Sequence, residues 1–329
     1  MNKRLGALSI AALLVLMLVL MNRAAAQNGA FAPPRTEWDQ PDLRGVWNFA
    51  TNIPLERPAA FADRARLTDD EIAALAAQTE RGLQALNDAG ANGYNTFWLE
   101  MGSGLDNRTS LLIYPEDGRL PAAQEGVSRV SGGLGDDVQG ERPVRFIVGG
   151  IGKDGPEDRG LSERCLVGFN SGPPFTPNLY NNNIQIFQNR DHAVILTEMV
   201  HDARIVPLDG RPYVDGAIRQ WSGDSRGYFD GDTLVVETRN FSDLTKSFGS
   251  LGNSAEKVLV ERFTRSGPNV MEYEFTVTDP ATFTDHFTAM ITMSRVDGQM
   301  YEYACHEGNY AMLNTLRAAR MQENGELEE

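Results

Sequence analysis

The sequence predicts a mainly β protein, an antiparallel up-and-down barrel with a few peripheral helices and a long loop-rich insertion. Three observations carry that expectation. Runs rich in Val, Ile, Thr, Tyr and Phe recur through the C-terminal half, at 184–188, 193–206, 218–222, 232–238, 257–265, 270–278, 287–295 and 300–305. Turn residues separate them, among them Asn189-Arg190-Asp191, Asp209-Gly210, Asp230-Gly231 and Asp297-Gly298. Within 271–277, Met271, Tyr273, Phe275 and Val277 fall on one side of a strand and Glu272, Glu274 and Thr276 on the other, so one face is dry and one wet. Such a meander must close or stack to manage its edges.

The elements follow in order. Lys3 and Arg4 precede an uncharged apolar run from Leu5 to Met21, and Ala24-Ala25-Ala26 supplies a small-residue cleavage site, so 1–26 is expected to be a secretory signal peptide. A membrane anchor is the competing reading of so long an apolar run. No Cys follows it to carry a lipid, and no stable anchor is expected after cleavage. Residues 27–329 are expected to form one domain. An extended lead-in over 27–41 leads to a short strand at 42–49 with a Gly45-x-Trp47 step. Thr68-Asp69-Asp70-Glu71 is a capping box, and Ile72, Leu75, Ala76, Leu83 and Leu86 supply the apolar stripe of a packing helix that ends at Gly90. From 90 to 177 the chain is rich in Gly, Pro, Asn and Asp, with one strand-like run at 110–114; a loop region this long suits a lid or access loop. The main meander occupies 178–308, and a helix is expected over 309–322.

Composition narrows the function. The 329 residues carry 30 Lys+Arg against 45 Asp+Glu, a net charge of -15. Removal of the leader takes three basic residues and no acid, leaving -18. Nucleic acid and anionic membrane are therefore not expected partners, since both need a basic patch. Cys165 and Cys305 are the two cysteines. In an exported chain an even pair reads most simply as one disulfide, tying the loop-rich segment to the last strand; a buried inert pair and a reactive thiol are the alternatives.

The stretch 197–204 holds the densest chemistry. If it continues one strand, Glu198, Asp202 and Arg204 share a face among apolar neighbours, and His201 points the other way unless a bulge turns it. Buried charges need partners. A structural Asp202–Arg204 or Glu198–Arg204 ion pair would satisfy them. The functional reading makes Glu198 or Asp202 a general base and Arg204 the group that holds an anionic substrate group. At 301–309, His306 stands beside Glu307 as a second acid/base candidate, with Tyr303 near it; a helix-capping His is the alternative. Asp224 and Arg226 flank a Gly-rich bend, where a local turn competes with a role at a barrel rim. Asn183 ends an Asn-Asn-Asn run that could line a polar pocket. His201, Asp202, His306 and Glu307 are ligand types that zinc accepts, but no H-x-H or H-E-x-x-H spacing occurs and no metal is expected. No glycine-rich phosphate loop opens a helix, so no nucleotide cofactor is expected either.

Pro41–Trp47, Pro54–Pro58, 198–210, 218–238 and 301–309 resemble a family of uncharacterised secreted bacterial proteins, a resemblance that implies no activity. The Gly45-x-Trp47 step with the later meander is similar to the lipocalin or calycin group. That similarity implies a barrel around a small, largely apolar ligand, and its enzymatic members imply hydratase, isomerase or cyclase chemistry by acid/base groups in the lumen. The expected function is thus that of an exported lyase-, hydratase- or isomerase-type enzyme, with a non-catalytic periplasmic binding protein as the alternative.

Overall fold

A computed structural model describes residues 31–61, 63–88, 99–100, 102, 106–127, 153–242, 251–252 and 255–326. The expected signal peptide and part of the 90–177 insertion lie outside these residues. The elements are β1 (Gly45–Asn48), α1 (Asp69–Asp88), β2 (Leu112–Tyr114), β3 (Asn183–Gln188), β4 (His192–Thr197), β5 (Ala203–Pro207), β6 (Asp224–Asp230), β7 (Thr233–Arg239), β8 (Val258–Gly267), β9 (Val270–Thr278), β10 (Phe287–Val296) and α2 (Tyr310–Glu323).

One antiparallel sheet runs β5-β4-β3-β1-β10-β9-β8-β7-β6, with β2 added to β10. Alternation decides which face is dry. Met271, Tyr273, Phe275 and Val277 are buried as expected, and Leu259 and Phe263 of β8 and Ile291 and Met293 of β10 join them. Trp47 is fully buried and its indole donates to the Leu43 carbonyl at 2.9 Å. Each such side chain contributes about 1.5–3 kcal/mol of burial free energy.

The sheet is mainly β and antiparallel, yet its ladder does not close into the expected barrel. Nine strands lie along the path, each antiparallel to the next. The edge strands β5 and β6 therefore run in the same direction, so a ring would need one parallel pair between them, and among the described residues none forms. They nonetheless meet: a side chain at Gly227 of β6 would come within 2.8 Å of Val206 and 2.9 Å of Leu208. The absence of a side chain at Gly227 leaves room for this close approach.

Three expected elements differ. The run 193–206 is two strands joined by a tight turn, because Val200 and His201 adopt positive φ (64° and 43°) and the Thr197 amide donates back to Asp202 O at 2.9 Å. A strand was expected at 218–222 and a bend at 223–227; instead β6 starts at Asp224, and Ser225 and Thr238 hydroxyls pair at 2.8 Å across to β7. The run 300–305 is not a strand but irregular backbone after the end of β10. The disulfide does form, between Cys165 and Cys305, so it ties the loop at 161–167 to this irregular segment and not to a strand.

Both helices form. In α1 the capping box is present, Glu71 accepting from the Thr68 amide at 2.9 Å. No α1 residue is buried, however, so it does not pack as expected; its apolar side faces a cavity. In α2 the cap is Asn309, whose Oδ1 accepts from Met312 N.

Gly227→Ala is expected to wedge the β5–β6 seam and cost about 1–3 kcal/mol. The urea unfolding midpoint measures it; an unchanged midpoint would show that Val206 and Leu208 yield freely.

Candidate functional site

The missing ladder between β5 and β6 has a geometric consequence. The seam is packed at Gly227, and a cleft of about 810 Å³ is lined by the first residues of both strands. Its walls include Val167, Asp202, Arg204, Trp221, Ser222 and Asp224. Three of the residues singled out in the sequence thus meet: Asp202, Arg204 and Asp224.

Arg204 sets the electrostatics. Its side chain is 9% exposed, and both terminal nitrogens donate to Glu261 of β8, Nη2 to Oε1 at 2.9 Å and Nη1 to Oε2. Glu261 is fully buried and its Oε1 also accepts from the Tyr273 hydroxyl at 2.8 Å; that hydroxyl accepts from Phe175 N at 3.2 Å. Burial works against the Arg204 charge, but the Glu261 carboxylate outweighs it and raises the guanidinium above its ordinary range. Burial pushes the Tyr273 phenol well up, and Glu261 adds to it. Neither ion pair considered from sequence, Asp202–Arg204 or Glu198–Arg204, is the one Arg204 makes; its partner is Glu261. Glu261 and Tyr273 went unread, although the signal was present: along β8, Glu261 alternates onto the same face as Leu259 and Phe263.

Asp202 is half-buried and accepts from the Ser222 hydroxyl at 3.2 Å. Its negative charge helps hold Arg204 protonated. Asp224 lines the cleft but is spent locally: Oδ1 accepts from Arg226 at 2.6 Å and Oδ2 from Val214 N at 2.8 Å. Arg226 also donates to Pro212 O at 2.7 Å and lies over the Tyr213 ring. The Asp224–Arg226 pair therefore clamps the 211–214 loop onto β6. Arg226 does not line the cleft.

The other candidates lie elsewhere. Glu198 sits in the β4–β5 turn, off the Arg204 face, where Asn183 Nδ2 donates to its Oε2 at 2.7 Å. The Asn run ties down carboxylates: Asn182, together with Asn48 of β1, donates to Glu100 Oε2, at 3.0 and 2.8 Å. Burial raises the Glu198 carboxyl, and the Glu100 charge adds to the rise. His201 is exposed, with Nδ1 3.1 Å from Tyr303 O. His306 and Glu307 are exposed at the turn before α2, and Tyr303 packs beside the disulfide with Met199 and Val200. Among the described residues no three His, Cys, Asp or Glu side chains gather to hold a metal ion, so His201, Asp202, His306 and Glu307 form no ligand set.

A second cavity, about 570 Å³, lies under α1. Ile72, Leu75 and Leu83 line it from the helix, Ile53, Phe61 and Leu111 from below. Its polar floor is self-satisfied: Arg108 pairs with Asp106 and donates to Met290 O at 2.7 Å.

No protein-family model matches the chain, and a search of curated proteins likewise finds no match.

Two predictions test the electrostatics. Glu261→Gln strands the Arg204 charge and is expected to cost about 3–5 kcal/mol, while Arg204→Met with Glu261→Leu recovers most of it; chemical denaturation of the three proteins measures this. For Glu198, a folded pKa above the unfolded one means that the unfolded chain releases its proton first. Stability therefore falls as pH rises out of the ordinary carboxylate range. Glu198→Gln is expected to melt about 1–3 °C above wild type at neutral pH and to match it at acid pH.

Proposed function

We propose that the chain is an exported enzyme that binds a small organic molecule in the seam cleft and moves a proton on it through Asp202. One observation carries this reading: Asp202 and Arg204 line one cleft, and behind Arg204 stands a buried Glu261–Tyr273 network that costs desolvation energy. An apolar pair of the same volume would stabilise the core as well or better, so the charges point to chemistry.

In this reading the Asp202 carboxylate takes a proton from the bound molecule and becomes neutral. It then returns that proton to another atom of the molecule, which isomerises it, or to a departing hydroxide, which leaves as water. Arg204, aimed by its bidentate pairing with Glu261, stabilises the negative charge that develops between the two transfers. Ser222 orients Asp202. Export is part of the proposal: the disulfide suits an oxidising compartment, and among the described residues no helix is long and apolar enough to cross a membrane. So is a barrel-like wrap of the sheet, supported by the close packing of Val206 and Leu208 on Gly227.

A second reading, non-catalytic carriage of an apolar ligand, is favoured by one feature, the apolar side of α1 over its cavity.

Native mass spectrometry of the exported protein, with the released molecule analysed after incubation in heavy water, separates the two. The enzyme reading expects a bound molecule that gains carbon-bound deuterium or loses water, and that neither binds nor changes in a folded Asp202→Ala variant. A molecule retained in Asp202→Ala but lost in Leu83→Asp would transfer the function to the α1 cavity.

A further inference from the structure

The cavity under α1 is a second place for a ligand, and a site there rests on the second reading, carriage of an apolar ligand, not on any chemistry at Asp202. We infer that this cavity binds a neutral, mainly aliphatic molecule and that α1 closes over it. The helix is the first argument. Ile72, Leu75, Ala76, Thr79 and Leu83 recur at three- and four-residue spacing, so they share one face, and all of them line the cavity. An amphipathic helix of a folded domain normally presses such a stripe into the core. Here no residue of α1 is buried, and Leu75 is 43% exposed. The helix is fastened at its base: Arg64 donates to both Glu71 oxygens at 3.0 and 2.6 Å, and Leu67 N donates to Asn107 O at 2.8 Å. Past that base a space of about 570 Å³ separates the stripe from Ile53, Phe61 and Leu111. Leu111 belongs to the main core and Ile53 packs against it, so an apolar occupant would join the helix stripe to that core.

The polar floor is the second argument. Thr292 Oγ1 donates to Asp106 Oδ2 at 3.3 Å and completes the Asp106–Arg108 pair. The Thr109 hydroxyl donates to Arg64 O at 2.7 Å and accepts from Arg57 Nε at 3.0 Å. These groups are satisfied within the protein and demand nothing of a ligand. A carboxylate brought into the cavity would lose its water without gaining a donor, and would meet the Glu80 charge on the helix wall. An ammonium would find Asp106 already paired, and Glu80 is exposed, so pairing with it repays little of the ammonium's lost hydration.

Calorimetry on the full chain with hexanol, octanol, decanol, decanoate and decylamine tests this, with amide hydrogen exchange as a second readout. Affinity is expected to rise about fourfold per methylene from hexanol to decanol, the increment for burying one such group. Decanoate and decylamine are expected to bind at least about tenfold more weakly than decanol at neutral pH. Bound decanol is expected to slow exchange of the α1 amides about tenfold or more. Leu83→Asp charges the cavity and Ala76→Phe fills it; both lie on a helix with no buried residue, and each is expected to abolish binding with the melting transition unchanged. Decanoate or decylamine binding as tightly as decanol would overturn the neutral class and leave the carriage reading standing. Exchange in α1 indifferent to bound decanol would overturn its closing role. Failure of every alkanol to bind, or binding unchanged in both variants, would overturn the site and the carriage reading with it.

Discussion

A guanidinium on an edge strand reaches through the inside of the sheet to a carboxylate on the far side, and the shape of the molecule depends on that contact. Arg204 belongs to β5, at one end of the strand path, and Glu261 to β8, two strands in from the other end. Their bidentate bond holds the two ends of an open sheet toward each other across the core. Hydrophobic burial would curl the sheet in any case, but it is non-directional. The ion pair, with Tyr273 as third member, fixes which residues meet, and a network of this kind tolerates little displacement before it is worse than none.

A second constraint acts from outside the sheet. The Cys165–Cys305 bond brings together the loop that supplies Val167 to the cleft, the segment with Tyr303, and the β4–β5 turn that ends at Asp202. Val200, a β-branched residue at φ 64°, is held in that turn by packing against Cys165 and Met199. Asp202 thus leaves the turn at an angle that strain and packing define together. The cleft lies where irregular backbone is braced by a covalent bond, not in the regular middle of the sheet.

Much of the fold was legible because it is local. The alternation of β9 and the capping box of α1 depend on neighbours within a few residues, and both stand where the sequence put them. The β4–β5 turn was not legible, because no Gly, Asn or Pro marks it; only the packing around Val200 makes a left-handed valine tolerable. β6 was hidden for the opposite reason: Gly223 and Gly227 read as a bend, whereas Gly227 is a strand residue making room for the neighbouring edge. Of the site, Asp202 and Arg204 were visible as charges in an apolar run. Both line the cleft, but Glu198, grouped with them from sequence, does not, and Arg204 answers to a residue 57 positions away. His306, Glu307 and Glu198 were plausible by type alone, and type says nothing of where a turn will leave a side chain.

The odd number of strands along the path also bears on how the molecule behaves among its own kind. An unpaired strand edge invites the edge of another molecule, the first step of chain-to-chain association. Here the two bare edges are turned on each other, and Val206 and Leu208 lodged on Gly227 deny a foreign strand most of that row. What stays open is the short stretch around Ala203 to Ile205, where Ile205 is 61% exposed and the cleft begins. The cleft and the exposed part of the β5 edge therefore share the same stretch of backbone.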